Sequence, residues 1–378
     1  MNTPVADAAG RAYVPRVTSS FLLSWFVKIG LFFLFGVTAR AWDTAQPGLR
    51  YEFPRDHLVH PSFKTEWWYF TGNLQAATGE RYGFQVTFFR QGVNEKPAES
   101  NFAVRDVAFA HAAITEIDGK KFHFSQEVSR MNFGEAGFGG PDRVAWIKAW
   151  NLALTADGGW KFHAQPGGQS ISLTASPQKP PVIHGTNGIS QKAVGEGHAS
   201  YYYSQTRLAL AGEVVLDGKK VSVTGLGWFD HEWATNQLAP DQVGWNWFGL
   251  HLDDGRDLML YQMRQTGGRI DPASSGTIVS ASGEAMHLTQ KDFSQTPLKR
   301  TWTSPATKAT YPLDWQVNIP SAQLTFIARA QLPNQEMNLA PVVYWEGATE
   351  LQHDGKKIGS GYMELTGYGE ALKALRGQ

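Results

Sequence analysis

The sequence predicts an all-β fold made of antiparallel barrels or sandwiches. Apolar and polar residues alternate in many short segments, which is the pattern of half-buried strands, and helical periodicity is almost absent. Turn-forming pairs such as Asp217-Gly218 separate these segments and supply the positive φ angles that hairpins need. The 39 glycines and the 13% aromatic content of the 378 residues also suit strands joined by tight turns.

The predicted strands follow one another along most of the chain. Those of the N-terminal part, divided by glycine turns near 79, 119, 158 and 218, are 67–74, 82–89, 108–114, 146–154, 170–175, 204–210 and 221–228. Those of the C-terminal part, divided by turns that include Asp-Gly pairs at 254 and 354, are 245–252, 258–264, 323–330, 342–346 and 361–366. One short helix is expected near 370–376.

Residues 1–41 have the features of an export signal. A basic flank and an apolar stretch over 21–37 precede Ala39-Arg40-Ala41, which reads as a small-residue cleavage site. An uncleaved N-terminal membrane anchor is the alternative, but the uninterrupted apolar run at 29–37 is too short to span a bilayer. We therefore expect a signal peptide that is cleaved and a protein that is periplasmic or secreted.

Charge and cysteine content exclude several classes of protein. Basic and acidic residues balance at 34 each and form no basic run, so no nucleic-acid partner is expected. The absence of cysteine excludes disulfides, cysteine-ligated zinc and thiol catalysis. An exported protein without disulfides fits a bacterial periplasm.

Two aromatic hairpins in the sequence are similar to each other. Trp67-Trp68-Tyr69-Phe70 opens a hairpin that ends in Arg90-Gln91, and Trp245-Asn246-Trp247-Phe248 opens one that ends in Arg264-Gln265. The match predicts two copies of one barrel-like unit, with chance similarity as the alternative. The irregular segment 177–197 is either a lid or a crossing loop of the first unit.

Two strings place ionisable side chains beside tryptophan: Glu66-Trp67-Trp68-Tyr69 and Asp230-His231-Glu232-Trp233. Proteins shift pKa values and hold apolar ligands by setting an acid or base against an aromatic wall. Side chains alternate between the two faces of a strand, so Asp230 and Glu232 are expected on one face and His231 on the other. The second string lies just before the second hairpin, and it is the better candidate for chemistry.

Several strings occur in one order over nearly everything after residue 50. They are His60-Pro61, Thr65-Glu66-Trp67-Trp68-Tyr69-Phe70-Thr71-Gly72, Tyr201-Tyr202-Tyr203-Ser204, Thr206-Arg207-Leu208, Gly227-Trp228-Phe229-Asp230-His231-Glu232-Trp233, Gly244-Trp245-Asn246-Trp247-Phe248, Tyr344-Trp345-Glu346-Gly347 and Gly361-Tyr362-Met363-Glu364-Leu365-Thr366-Gly367-Tyr368. Together they resemble the carotenoid 1,2-hydratase/AttH-like family. The resemblance implies two lipocalin-like antiparallel β-barrel domains in tandem, which we place at 42–230 and 231–378.

The resemblance implies two different functions. Carotenoid 1,2-hydratases add water to the terminal double bond of an acyclic carotenoid, whereas AttH-like members are exported and associate with ABC-transporter components. We expect an exported protein that binds a hydrophobic isoprenoid- or lipid-like molecule, with carotenoid 1,2-hydratase-type water addition as its enzymatic form. The alternative is a non-catalytic periplasmic binding component that works with an ABC-transporter permease.

Water addition to an alkene needs an acid that protonates carbon and a wall that stabilises the resulting cation. Four residues are expected to handle protons: His231, Asp230, Glu66 and Tyr261. Five are expected to contact the ligand: Trp233, Trp68, Trp245, Trp247 and Tyr203. No cofactor and no metal ion are expected.

A structural role is the alternative for these residues. Tryptophans of a β-barrel usually belong to its core, with their polar edges hydrogen-bonded. Glu66 could simply pair with Arg90 or Arg207, and His231 could be a hydrogen-bonded core histidine. The choice depends on whether each side chain faces a cavity, which the sequence leaves open.

Three further features weaken particular chemistries. Met263 stands two residues after Tyr261, where an acid would complete a proton relay. Adjacent residues of a strand point apart, so Asp230-His231-Glu232 cannot all ligate one metal ion without a bulge, and His57, His60 and Glu66 are the other conceivable ligand set. Ser204 lacks the glycine-flanked elbow of a serine hydrolase.

Overall fold

The computed structural model describes residues 42–96, 100, 102–339 and 342–369. Within these ranges the chain is almost entirely β-strand, which confirms the all-β prediction. The described part has no α-helix, and none of its elements is a helix able to cross a membrane. The predicted signal peptide at 1–41 and the predicted helix near 370–376 lie outside the described residues.

The first sheet is a nearly closed antiparallel barrel. Its strands, as far as the chain is described, are β1 (Thr65–Ala76), β2 (Arg81–Gly92), β3 (Asp106–Glu116), β4 (Lys121–Ser129), β5 (Ala136–Phe138), β6 (Ala145–Ile147), β7 (Trp150–Leu154), β8 (Trp160–Ala164), β9 (Ser170–Pro177), β10 (Val182–Ile183), β11 (Ser190–Gln191), β12 (Ala199–Leu216) and β13 (Lys219–Ala234). Their order is β4-β3-β2-β1-β13-β12-β9-β8-β7-β6-β5, with β10 and β11 added to β12.

The second sheet is also antiparallel. The remaining strands are β14 (Gln242–Leu252), β15 (Asp257–Gln265), β16 (Ser275–Val279), β17 (Ala285–Thr289), β18 (Ser294–Pro297), β19 (Thr301–Thr303), β20 (Thr310–Pro312), β21 (Asp314–Ile319), β22 (Leu324–Ala330), β23 (Glu336–Leu339), β24 (Val342–His353) and β25 (Lys356–Thr366). The sheet order is β17-β16-β15-β14-β25-β24-β22-β21-β18, β23 pairs with β24, and β19 and β20 form a separate pair. Short 3-10 turns occupy Arg55–His57, Asn132–Gly134, Pro141–Arg143, Pro166–Gly168 and Pro320–Ala322.

The two sheets repeat one strand order. In the first, β1 lies between β2 and β13, and β13 pairs with β12. In the second, β14 lies between β15 and β25, and β25 pairs with β24. The two aromatic hairpins that are similar in sequence, β1–β2 and β14–β15, therefore occupy equivalent places.

The Asp-Gly turns have the geometry that the sequence predicts. Asp217 and Gly218, which join β12 to β13, have φ angles of 50° and 78°. Asp354 and Gly355, which join β24 to β25, have φ angles of 49° and 73°. Positive φ at both central residues is the signature of the type I′ hairpin, and it fixes the register of these two hairpins next to the turn.

The first sheet continues past the expected boundary between the domains. Residues 230 and 231 lie inside β13, which ends at Ala234, and the second sheet begins at Gln242. The break between the sheets therefore falls at 235–241. Strand β13 could not end earlier because its last residues pair with β1 and β12, as in Glu66 with Trp233.

The irregular segment 177–197 joins β9 to β12 within the first sheet and packs against the second sheet on the way. Lys179 reaches the Asp257 carboxylate at 2.6 Å, and the Ser190 hydroxyl lies 3.1 Å from the Tyr261 hydroxyl. Asp257 also accepts hydrogen bonds from Arg207, at 2.7 Å and 3.0 Å. These contacts fix the segment against the second sheet, and they make it a crossing connection.

Three groups of packed aromatic side chains in the described part of the chain bear on the site. The interior of the first barrel is filled by a set that includes Trp68, Phe70, Trp160, Phe162, Phe229 and Trp233. The second sheet has its own core, which includes Phe248, Trp315, Phe326 and Trp345. The third group lies between the sheets and includes Tyr69, Tyr202, Trp228, Trp247 and Tyr261. The third group borders a cavity between the sheets.

Candidate active site between the two sheets

A cavity of about 430 Å³ lies between the first and second sheets. Cavities of roughly 300–1,000 Å³ are typical of small-molecule sites. Its walls are mainly aromatic and aliphatic: Trp67, Tyr69, Phe89, Val93, Val107, Phe109, Val128, Tyr202, Leu238, Trp245, Trp247, Tyr261, Met263, Val342 and Tyr344. The ionisable groups are His111, Lys192, Asp230, Glu232, Glu346 and Glu364, and the neutral polar residues are Thr65, Gln91, Gln126, Gln237 and Thr366. A cavity whose exposed lining is mostly apolar fits a hydrophobic ligand.

Two neighbouring rows of the first sheet form one wall. In the first row, Asp230 is paired with Tyr69, and the row continues through β2 to His111 on β3. In the second row, Glu232 is paired with Trp67 and the row continues to Phe89. Asp230 and His111 lie three strands apart, which is about 14 Å at a strand spacing of about 4.8 Å.

Two rows of the second sheet form the opposite wall. Trp247 of β14 is paired with Tyr261 on one side and with Glu364 on the other. Glu364 is in turn paired with Glu346 of β24. A hydrogen bond joins the two walls, because the Tyr69 hydroxyl of the first sheet donates to Glu346 of the second at 2.7 Å. The four carboxyl groups of the cavity therefore have fixed positions in two facing sheets.

Asp230 is held by three donors on the cavity wall. Trp228 Nε1 donates to its Oδ1 at 2.6 Å, the Tyr202 hydroxyl donates to its Oδ2 at 2.7 Å, and the Ser204 hydroxyl also donates to Oδ1. Burial raises the pKa of Asp230 to about 7, against the opposing effect of these hydrogen bonds. Near neutral pH the carboxyl group is therefore a competent proton donor.

A chain of hydrogen bonds continues from Asp230 away from the cavity. Ser204 Oγ lies 2.6 Å from His184 Nε2, and His184 Nδ1 lies 2.8 Å from Thr277 Oγ1. Burial lowers the pKa of His184 well below its ordinary value, so the ring is neutral and one of its nitrogens donates. If Ser204 donates to Asp230, His184 Nε2 donates to Ser204 and Nδ1 accepts from Thr277. This chain fixes the orientation of Asp230.

Glu346 and Glu364 form a pair of buried carboxyl groups. Burial raises the pKa of Glu346, and the neighbouring Glu364 raises it further. Burial also raises the pKa of Glu364 to about 8, opposed by a hydrogen bond with the Trp245 side chain. Burial thus favours the protonated form of both groups, and the wall opposite Asp230 also carries carboxyl groups able to donate a proton.

Lys192 brings a positive charge into the cavity from the crossing segment. Its Nζ lies 3.0 Å from Glu232 and over the rings of Tyr202 and Tyr261, at 4.6 Å and 4.4 Å from their centroids. Burial lowers the pKa of Lys192, but Glu232 and Tyr261 outweigh that effect and the net pKa is raised. The lysine is therefore charged and tied to Glu232.

A histidine and a tyrosine connect the two walls on the β3 side. His111 Nδ1 lies 2.6 Å from the Tyr344 hydroxyl, and His111 Nε2 lies 3.2 Å from Gln126 Nε2. Burial lowers the pKa of His111 to about 3, so its ring is neutral. With an amide donor on Nε2, the Nδ1 proton points to Tyr344 and leaves the tyrosine proton free to face the cavity.

His231 and Glu66 occupy a different compartment, inside the first barrel. Both are completely buried, and His231 Nε2 lies 3.0 Å from Glu66 Oε1. Glu66 also pairs with His60 Nδ1 at 2.8 Å and with Arg90 Nε at 3.3 Å. Burial raises the pKa of Glu66, but its hydrogen bonds with His231 and His60 outweigh that effect and hold the pKa well below its ordinary value. Glu66 is thus an ionised anchor for its neighbours.

Aromatic rings enclose this buried network. Trp68 stacks on His231 with centroids 4.6 Å apart, and Trp233 stacks on His60 at 3.7 Å. The Tyr203 hydroxyl lies 2.7 Å from His57 Nδ1. Tight ring contacts of this kind hold the imidazoles and the carboxylate in one arrangement, which is the behaviour of a packed core.

The buried network is also the place where a metal ion could be held. His60, Glu66 and His231 each offer one ligand atom, and the three atoms lie within 4.8 Å of one another. However, Arg90 already pairs with Glu66, and it also donates to Asp106 at 2.7 Å. A guanidinium at this carboxylate opposes the binding of a second cation. The residues therefore fit a metal ion poorly.

The structure divides the expected site into two parts. Asp230, Tyr261, Trp245 and Trp247 line the cavity between the sheets. The other expected residues, His231, Glu66, Trp233, Trp68 and Tyr203, face the packed interior of the first barrel and are absent from the cavity wall. The alternation of faces along β13 is as predicted, but the acidic face meets the cavity because the second sheet packs against it.

Several cavity residues were missed from the sequence. Glu232 was placed on the correct face but given no role, and Glu346 and Glu364 appeared only within strings shared with a family. An acid in the middle of an otherwise apolar strand was the signal that could have identified the last two. Lys192 and His111 had no such signal, because the first lies in an irregular segment and the second in an alanine-rich strand.

Known proteins resemble the chain in both sequence and structure. A family model described as AttH-like matches residues 44–368. The crystal structure of an AttH from Nitrosomonas europaea, at 2.00 Å resolution, is 34% identical, covers 86% of this chain and 99% of its own, and superposes with a TM-score of 0.79. These matches confirm the predicted family and the predicted tandem of lipocalin-like barrels.

Two more distant relatives carry enzyme names. The crystal structure of kievitone hydratase from Nectria haematococca is 15% identical, covers 86% of this chain and 98% of its own, and has a TM-score of 0.63, so this likeness concerns the fold alone. The dehydratase asqC of Emericella nidulans is 25% identical over 181 residues, which are 44% of this chain and 47% of that protein. The match thus spans about half the length of this curated relative.

Proposed function

The chain belongs to the AttH-like family, and we propose that its intersheet cavity binds an apolar, alkene-containing molecule to which Asp230 donates a proton. The observation that carries this proposal is the buried Asp230 carboxyl group, which lies on the wall of an aromatic cavity and is held there by Trp228, Tyr202 and Ser204. The ligand class is isoprenoid- or lipid-like, because the walls offer mainly apolar contacts. The reaction class is the addition of water to a carbon–carbon double bond, or its reverse.

The acid strength of Asp230 suits this reaction. A general acid works best when its pKa lies near the working pH, because it is then both protonated and ready to release the proton. Burial raises the pKa of Asp230 to about 7, whereas an exposed aspartate would be ionised at that pH. The three donors on Asp230 stabilise the carboxylate that remains after proton transfer.

The balanced reaction returns Asp230 to its starting state. The proton of Asp230 bonds to one alkene carbon, the π bond breaks, and the other carbon becomes a carbocation. Water bonds to that carbon through oxygen, and the proton that it loses passes to the Asp230 carboxylate. The net change is the addition of one water, and dehydration follows the same steps in reverse.

The aromatic walls suit the cationic intermediate. Trp67, Tyr69, Trp245 and Trp247 surround the cavity, and the face of each ring attracts positive charge by roughly 0.5–2 kcal/mol per contact. His231 lies in the packed barrel and does not border this space, so its proposed role is structural. Serine hydrolysis has no support, because neither Ser204 nor its partner His184 lines the cavity.

The names of two relatives agree with this reaction class. One is called a hydratase and the other a dehydratase, so each name describes the movement of one water molecule. The former likeness concerns the fold alone and the latter covers about half of the relative. They support a hydro-lyase as a proposal, and the residues of the cavity supply the argument for it.

The first experiment is a turnover assay with lycopene, an acyclic carotenoid, in deuterated water. Water addition would give a product that contains one carbon-bound deuterium and one new hydroxyl group, which mass spectrometry detects. No product with lycopene, together with none from other acyclic isoprenoids extracted with the protein, would refute the enzymatic proposal.

A carrier role in export is the second candidate, and the cavity mouth favours it. Val93 and Val128 line the cavity and are 55% and 54% exposed, so an apolar molecule has an apolar path to solvent. Under this proposal the protein passes its ligand to an ABC-transporter permease in the periplasm. Mass spectrometry of the purified protein would then find bound lipid-like material, and no variant would show turnover.

A further inference from the structure

We propose that the intersheet cavity selects a ligand or reaction intermediate with a positive charge, which is held between the Glu346–Glu364 pair and the aromatic rings. This inference rests on the proposed function only in that the cavity must be the ligand site. It adds a charge preference, cation over neutral over anion, that an apolar cavity alone would not have.

The close spacing of the Glu346 and Glu364 carboxyl groups is the first feature that favours a cation. Glu346 and Glu364 are direct partners in the β24–β25 ladder, and both side chains line the cavity. Directly opposed residues of an antiparallel pair have Cβ atoms about 5 Å apart. Two carboxyl groups at that spacing repel each other once both ionise, and a cation placed beside them removes the repulsion.

The excess of acidic over basic side chains in the cavity wall is the second feature that favours a cation. Among the described residues of its wall, four side chains bear carboxyl groups, Asp230, Glu232, Glu346 and Glu364, and Lys192 is the one lysine. Lys192 is tied to Glu232 at 3.0 Å. In the described part of the chain, no ion pair involves Glu346 or Glu364, so no protein cation pairs with these carboxyl groups when they ionise.

One positive charge of the protein itself is already held in the cavity by aromatic rings and a carboxylate. The Lys192 ammonium lies over the rings of Tyr202 and Tyr261, with a carboxylate at its side. Trp245, Trp247 and Tyr69 place similar rings beside Glu346 and Glu364. Aromatic rings combined with carboxylates are the usual surroundings of a bound ammonium group.

Other titratable groups face the pair from every adjoining element. The first sheet contributes Tyr69 of β1, His111 of β3, Tyr202 of β12 and Asp230 and Glu232 of β13, the crossing segment contributes Lys192, and the second sheet contributes Tyr261 of β15, Tyr344 of β24 and Tyr362 of β25. The pKa of Asp230 is raised to about 7 and that of Glu364 to about 8. A fixed cation should therefore bind more tightly as pH rises from 6 to 9, because it favours the ionised acids.

The test compares two probes of nearly equal shape. Benzyltrimethylammonium carries a permanent charge, and neopentylbenzene has a neutral carbon in place of the nitrogen. Competition for a fluorescent apolar dye gives both affinities at pH 6 and pH 9. We expect the cation to bind at least tenfold more tightly than the neutral probe at pH 9, and to weaken at pH 6 while the neutral probe does not change.

Variants locate the preference in the carboxyl pair. The double substitution Glu346→Gln and Glu364→Gln should lower the affinity for the cation at least tenfold and leave neopentylbenzene unaffected. Glu350→Gln, on the same strand but away from the cavity wall, is the matched control and should change neither. If the double variant fails to fold, the comparison of the two probes on the wild-type protein still tests whether the cavity prefers a cation.

The outcomes separate this inference from the proposed function. Tight binding of neopentylbenzene with equal or weaker binding of the cation would overturn the charge preference and leave the apolar site standing. Binding of neither probe would overturn the cavity as a ligand site, and the charge preference with it.

Discussion

Asp230 and His231 are neighbours in one strand, yet their side chains enter different compartments. Asp230 lies on the wall of the intersheet cavity and accepts a hydrogen bond from Tyr202 at 2.7 Å. His231 points into the first barrel and lies 3.0 Å from Glu66. Because consecutive side chains of a strand point to opposite faces, Asp230 is a proton donor with access to a ligand, whereas His231 is part of a packed core.

The first prediction concerns proton donation by Asp230. Asp230→Asn should reduce the rate of lycopene hydration at least a hundredfold, since general acid catalysis contributes roughly 10²–10⁴-fold. Binding of neopentylbenzene should persist, because the apolar walls are intact. Asp217→Asn, in the exposed β12–β13 turn, is the control and should keep full activity. Full activity in Asp230→Asn would remove Asp230 from the mechanism.

The second prediction concerns the buried network of the first barrel. Glu66→Gln leaves Arg90 without one of its two carboxylate partners in a completely buried position. We expect a loss of about 3–5 kcal/mol in the free energy of unfolding, which is typical when one partner of a buried ion pair is removed. Urea denaturation measures this change.

The same variant also tests where the chemistry lies. The folded fraction of Glu66→Gln should bind neopentylbenzene as the wild type does, because Glu66 does not border the cavity. Unchanged stability combined with lost turnover would instead place the chemistry inside the first barrel, beside His231.

Much of the fold follows from local sequence. The Asp-Gly pairs set the hairpin turns, and the alternation along β13 correctly puts Asp230 and Glu232 on one face. Which face meets a cavity is not a local property, because it depends on how the second sheet packs against the first. Periodicity describes the two faces of a strand equally well and does not identify the one that a second sheet covers.

The position of the acids on the second wall could also be predicted only in part from the sequence. Glu346 and Glu364 each interrupt an apolar strand, which is visible in the sequence. Their pairing depends on the register between β24 and β25, and their contact with Tyr69 depends on the packing of the two sheets. Lys192 reaches the cavity from a segment with no periodic pattern at all.

The third prediction concerns stability and pH. Burial raises the pKa of Glu364 from 4.5 to about 8, so the folded protein holds a proton that the unfolded chain releases between those values. Wild-type stability should therefore fall as pH rises from about 4.5 to about 8. Glu364→Gln removes this cost, and we expect it to be more stable than the wild type at pH 9 by an amount on the order of 1–3 kcal/mol.

Chemical denaturation at several pH values measures that difference. The stability gap between Glu364→Gln and the wild type should widen from pH 5 to pH 8 and stay constant below pH 4. Glu350→Gln is again the matched control and should show no such pH dependence. A gap that is independent of pH would mean that Glu364 titrates as an exposed glutamate does.

The protonation of Asp230 in contact with a ligand is open to direct measurement by carbon-13 NMR of protein labelled at the aspartate carboxyl carbons. We expect one resonance that titrates near pH 7, is missing in Asp230→Asn and shifts when neopentylbenzene binds. An Asp230 resonance that titrates with the exposed aspartates below pH 5, or that does not respond to the probe, would contradict the proposed site.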